Sequence, residues 1–244
     1  MPFGRANRPS SWVTTAFAIM AVATATPLVA RSTLRAAEGT GRALGTQAPG
    51  VPRVGRRAAA RALDLTLPVP YFVGAGHPED GFRAGDRELA RWALEAWQRA
   101  IGPSLTLTPD AEDSAVVRLY WASPTGGQYG EMRSLSVGGR LGAAVFIRPD
   151  TSSLGPEIAA LTTTDPLLRD TIVYLTCLHE LGHAFGLQHT DDVRDVMYSF
   201  GFGGDVPEYF GRYRRQLRAR GDIARTSALS DGDREHLRAL YPRP

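Results

Sequence analysis

Lysine is missing altogether from this 244-residue chain, and all 28 of its basic residues are arginine. That bias follows genome composition and carries no functional weight. Cysteine is nearly missing too. Cys177 stands alone, so no disulfide can form within the chain and the fold cannot depend on oxidation. Export is neither required nor excluded by this. A third absence is a basic body. The sequence pI of about 9.3 hints at a polyanionic partner, yet residues 1–66 carry nine arginines against Glu38 and Asp64, a net +7, while residues 67–244 carry 19 against 23 acidic residues, a net −4. Nucleic-acid recognition needs a basic patch on the folded body, so no nucleic-acid partner is expected. No internal repeat is present.

The longest uncharged run is at the N-terminus. Arg5 and Arg8 precede residues 9–30, whose small residues include Ala23-Thr24-Ala25, an A-x-A-like cleavage site. Residues 1–30 therefore read as a secretory signal, which places the mature chain outside the cytoplasm, secreted or periplasmic. The same run is just long enough to span a bilayer, so membrane association through an uncleaved N-terminal anchor is the alternative. Pro27 and several threonines make it only moderately apolar, and no cysteine follows it, which excludes a lipoprotein anchor. Residues 31–66 are rich in Arg, Ala, Gly and Pro without a sustained apolar period, and read as a linker or short pro-segment.

From residue 67 to 244 the pattern is that of one packed domain, and a chain with 43% apolar residues is long enough to bury a substantial core. VPYFV (69–73) reads as a strand. Leu89, Ala93, Ala96, Trp97 and Ala100 recur on one face of a helix over 86–101. Strands are expected in 105–109, 116–122 and 142–148, with a Gly-rich polar segment over 123–139 between the last two. Asp165-Pro166 supplies an N-cap and a first-turn proline for a helix running to Gly186. A further helix is expected from Pro207 to Arg220 and a last one from Ser230, carrying Leu237, Leu240 and Tyr241. Trp92, Trp97 and Trp121 fall at core positions of this pattern.

Only five histidines occur, and three of them crowd into HELGHAFGLQH at 179–189. His179 and His183, four residues apart on a helix, project from one face and can share a tetrahedral metal. Gly186 lies where a left-handed residue can stop the helix and turn the chain back, so that His189 supplies a third ligand. Three neutral imidazoles leave a fourth position for water, the mark of a catalytic zinc site rather than a structural one. Such a site acidifies water and polarises a carbonyl, and Glu180 stands where a general base is needed. At this chain's own residue frequencies the five fixed positions would coincide in roughly one chain in a hundred thousand, which sets aside a core helix with incidental histidines.

HExxHxxGxxH followed by a methionine turn resembles the metzincin zinc-peptidase signature. Met197 stands eight residues after His189, in DDVRDVMYS. Tyr198 directly after it, and the terminal LSDGDREHLRALY, resemble the matrixin branch, including its bacterial members, more than the astacins. The resemblance implies an α+β, metzincin-like fold: a twisted mixed sheet with two long helices above a shallow cleft, and a smaller subdomain with the Met-turn and C-terminal helix below. It implies a peptidase acting on proteins or peptides with one catalytic zinc, Met197 supporting the site from beneath without ligating it.

This chain also departs from the family. It has no cysteine ahead of the catalytic domain to act as a cysteine switch. Cys177, roughly 200° around the helix from His179, faces away from the metal and reads as core. Asp64 is a weak candidate for a blocking carboxylate. Residues 123–139 contain no His or Asp, so the second zinc of animal matrixins lacks ligands, and calcium is left open. His77 and His236 read as turn and surface residues. Asp191 and Asp192 could orient His189 or cap a local turn. The stretch 199–228 is a long insert with Tyr209, Tyr213 and Leu217 as an apolar stripe and arginines opposite. Tyr198, Arg212, Arg215 and Arg218 are candidate substrate-side residues. The basic face equally suits solvent or an anionic membrane surface. A zinc amidase or deacetylase, or a zinc-stabilised binding module without turnover, would share parts of this pattern. Substrate preference, activation and oligomeric state are not encoded legibly.

Overall fold

A computed structural model describes residues 62–123 and 129–242; the expected signal and most of the linker lie outside the described residues. Five strands form one mixed sheet. β1 (Val69–Val73) pairs in parallel with both β2 (Leu107–Pro109) and β3 (Val117–Trp121), and β3 pairs in parallel with β5 (Arg140–Ile147). β4 (Gly130–Val137) runs antiparallel to β5 along the edge, giving the order β2-β1-β3-β5-β4.

β4 lies inside the segment expected to be an irregular loop. Its faces alternate poorly because an edge strand buries little, and only Gly130 at its start is fully buried. The glycines that suggest a loop are the turn itself. Gly138 and Gly139, with φ of 58° and 81°, join Val137 to Arg140 in a two-residue hairpin whose positive φ angles match the twist of the flanking strands.

Two long helices pack beside the sheet. α1 (Asp86–Ile101) buries Leu89, Ala93, Ala96 and Trp97, as its period requires. α3 (Pro166–Ala184) starts where Asp165 accepts a hydrogen bond from the Leu168 N–H at 3.1 Å. Its sides are buried almost throughout, which a helix sandwiched between α1, the sheet and the lower subdomain demands. The indole of Trp97 donates to the Leu178 carbonyl at 2.9 Å. Trp97 is fully buried, whereas Trp92 and Trp121 are half-buried against the core. Arg169 of α3 is buried with Asp86 of α1, bonding it at 2.8 Å through Nη2 and also donating to the carbonyls of Gly81 and Pro149. Between β5 and α3 in chain order comes a short helix, α2 (Pro156–Thr164), which buries only Ile158 and Thr162 and gives little periodic signal.

Below these elements come α4 (Val206–Arg214) and α5 (Asp231–Leu240). α4 is shorter than the expected 207–220, but the stripe is buried as read: Tyr209, Tyr213 and Leu217, joined by Phe210. Tyr213 stacks on Tyr174 of α3 with ring centroids 5.8 Å apart. Leu63, within the stretch read as linker, is buried in the core, and its N–H donates to the Tyr241 hydroxyl. No helix among the described residues is long and apolar enough to cross a membrane.

Candidate metal centre

His179 and His183 lie one turn apart near the C-terminal end of α3. The helix stops at a Schellman-type cap: Leu187 N–H bonds Gly182 O at 3.0 Å and Gly186 N–H bonds His183 O at 2.9 Å, with Gly186 at φ 93°. The reversal returns His189 to the same space. Ligand atoms of the three histidines all lie within 4.8 Å of one another.

The tautomers follow from the partners. Nδ1 of His179 is 2.7 Å from the Val196 carbonyl, and Nδ1 of His183 is 2.9 Å from the Leu187 carbonyl. A carbonyl only accepts, so each Nδ1 carries the hydrogen and each neutral ring turns a bare Nε2 inward. Those atoms sit 3.2 Å and 3.1 Å from His189 Nε2, close to the roughly 3.3 Å that two nitrogens on one tetrahedral zinc at about 2.05 Å would span. Burial holds all three rings neutral: His179 is pushed well below its ordinary range, aided by His183 nearby, His183 down to about 4, and His189 lowered. Inward-facing lone pairs at this spacing fit a cation.

Glu180 is buried, and its Oε1 has no hydrogen-bond partner among the described residues. Burial, with Glu131 adding repulsion, raises its carboxyl to about 8 in the metal-free chain. A dication nearby would favour the charged form.

Met197 is fully buried and packs against α3. Its approach to α3 depends on Gly182: a Cβ there would lie 2.3 Å from the Met197 sulfur and 3.1 Å from Trp97. Gly182 is not among the expected site residues, although a glycine inside an apolar helix, costing about 1 kcal/mol against alanine, is itself a signal of close packing. The turn is held from α5. Asp233 accepts from the N–H groups of Val196 (2.9 Å), Met197 (3.2 Å) and Ser230 (2.9 Å). The Val196 peptide therefore links Asp233 on one side to His179 on the other.

Beside His179 a small apolar pocket is lined by Leu175, Thr176, Tyr198, Phe200, Tyr209 and Phe210. Tyr198, a candidate substrate-side residue, is among the lining residues, its hydroxyl bonded to Gly203 O at 2.7 Å. The three arginines do not line this pocket. Arg212 lies over the Tyr209 ring at 5.5 Å, Arg215 pairs with Glu208 at 2.5 Å, and Arg218 is exposed. Because the stripe of α4 turns inward, the wall is aromatic; Arg215 and Arg218 are exposed, while Arg214 bonds Asp165 at 2.8 Å. Asp192 caps the turn at Arg194 and pairs with its guanidinium. Asp64 is exposed and bonded to Thr66. Cys177 is a buried free thiol, His77 sits exposed in a turn, and His236 is exposed on α5.

A family model described as matrixin matches residues 77–203, more than half of the chain. No curated protein sequence matches. Among solved structures, similarity extends to archaemetzincin from Methanopyrus kandleri, 15% identical over 78% of this chain and 99% of that one with a TM-score of 0.40. It extends also to myroilysin, 14% identical over 76% of this chain and 97% of that one with a TM-score of 0.37.

Proposed function

The chain belongs to the matrixin family of zinc metallopeptidases, and from that premise we propose that it is an endopeptidase working outside the cytoplasm, with Glu180 as its general base. The observation that carries this reading is the convergence of Nε2 atoms of His179, His183 and His189 beside Glu180, which shares α3 with the first two and whose buried Oε1 has no partner among the described residues. His179, His183 and His189 would hold one zinc. When bound, the ion supplies Lewis acidity, polarising the substrate carbonyl and acidifying water. Val196 O and Leu187 O fix the ring orientations of two ligands and keep their protons on Nδ1. Glu180 accepts the proton of the attacking water and delivers it to the departing amine. Burial around it excludes bulk water, which strengthens each of these interactions.

An internally quenched peptide library, assayed with chelator and after zinc is restored, tests the activity. Internal cleavage that is lost and regained supports an endopeptidase. Zinc binding without cleavage would favour a binding module, and hydrolysis restricted to small amides would favour an amidohydrolase. Export rests on Arg5, Arg8 and the uncharged run to Ala30. N-terminal sequencing of native protein is expected to begin beyond that run, and an intact Met1 in a soluble cytoplasmic fraction would refute it.

A further inference from the structure

β4 begins with Gly130, buried and paired with Ile147 across the ladder. A Cβ placed on Gly130 would lie 2.6 Å from Glu180 Oε1, 2.8 Å from its Cγ and 3.0 Å from its Cδ. Carbon atoms at such separations overlap, so the bare backbone of Gly130 and the outer half of the Glu180 side chain share one space. The backbone on either side is fixed. Tyr129, next to Gly130, is buried, and its carbonyl accepts the Arg148 N–H at 3.0 Å. Glu180 in turn belongs to the most buried stretch of α3. The group least held is the carboxylate, whose Oε1 makes no hydrogen bond among the described residues.

We propose that Gly130 is a positioning residue for Glu180: its lack of a side chain forms the wall that sets where the carboxylate rests relative to the three histidines. The inference deepens the reading of Glu180 as the base and depends on it for its effect on turnover. It assigns the edge strand a steric part in the site. A side chain at 130 displaces the carboxylate, because the end of the Glu180 side chain gives way more readily than the paired start of β4 or the buried α3.

A double-mutant cycle on the full chain tests this. In metal-free protein, Gly130→Ala lowers the thermal midpoint, but in a Glu180→Ala background the same substitution costs nothing, since no carboxylate remains to be met and alanine suits a strand better than glycine. In zinc-loaded protein Gly130→Ala lowers kcat by about 100-fold, the cost of an ångström-scale misplacement of a catalytic group, while KM and zinc content stay within about two-fold of wild type. Equal destabilisation in both backgrounds overturns the proposal, as does a kcat within about three-fold of wild type. Failure of Gly130→Ala to fold is decided by the Glu180→Ala background, where recovery supports the contact and continued misfolding contradicts it. The base reading is judged separately by Glu180→Gln, so loss of that reading leaves the stability cycle to decide the contact.

Discussion

Helix α3 and the loop from Leu187 to Ser199 hold the same site by different means. On the helix, His179, Glu180 and His183 are placed by a 3.6-residue period inside a fully buried element. The loop has no such period. It is fixed by single hydrogen bonds, from distant residues through Asp233 on the N–H groups of Val196 and Met197 and the Tyr209 hydroxyl on Val196 O at 3.1 Å, and within the loop through Thr190 N–H on Met197 O at 2.9 Å. Packing places His179, His183 and Glu180, whereas a network of backbone bonds places His189 and the methionine turn. The first arrangement is met from outside the helix at two points, Gly130 of β4 against Glu180 and Val196 O on His179, and the second can be loosened from α5, more than thirty residues along the chain.

The largest effect is expected on the helix side. His179→Ala or His183→Ala should bring bound zinc to background by elemental analysis and lower turnover by at least about 10³-fold, because two imidazoles no longer define a tetrahedral site. Retention of a full equivalent of zinc by either variant would break the comparison. Next comes the seam between the two regions. Gly182→Ala should drive Met197 off α3, destabilising the protein by about 1–3 kcal/mol as overpacked cores do, read as a fall in thermal midpoint. An unchanged midpoint would mean that the Met-turn yields freely.

A smaller, pH-dependent effect separates two neighbours on α3. Burial lowers His183 to about 4 from 6.5, so its contribution to metal-free stability is full above pH 6.5 and is lost as pH falls towards 4, where the unfolded chain takes up a proton that the folded one refuses. Glu180, raised to about 8 from 4.5, has the opposite sign: the folded chain holds a proton that the unfolded chain releases, so stability is lost as pH rises from 4.5 to 8. Glu180→Gln should therefore raise the midpoint of metal-free protein by several degrees at pH 8 and hardly at all at pH 4.5. A uniform change across that range would contradict the assignment. Smallest of all is the arginine face of α4. Replacing Arg212, Arg215 and Arg218 with Gln should leave the acidic-to-neutral preference in kcat/KM unchanged on matched peptides at low salt, since aromatic side chains line the pocket. A clear fall in that ratio would return the arginines to the substrate side.

Legibility in the sequence follows the same division. The bounds of β1 and α1, the start of α3 and the three histidines could be read because period and capping are local signals. β4 was missed because an edge strand buries one residue fully and its hairpin glycines resemble a loop. α2 was missed because threonines fill most of its last turn. The roles of Gly182 and Gly130 concern what a side chain would strike across the fold, which no window of sequence contains. In α4 the stripe was legible but the direction of the basic face was not, since amphipathicity says that a helix has two sides and not which neighbour each side meets.

The central claim is that three histidines hold zinc while Glu180 moves the proton. Single-turnover hydrolysis of an internally quenched peptide by the Glu180→Gln variant, with zinc measured on the same sample, tests it most directly. A full equivalent of zinc is expected together with a rate lowered by at least about 10²-fold, the scale of general base catalysis. A near-normal rate at full zinc occupancy would contradict it.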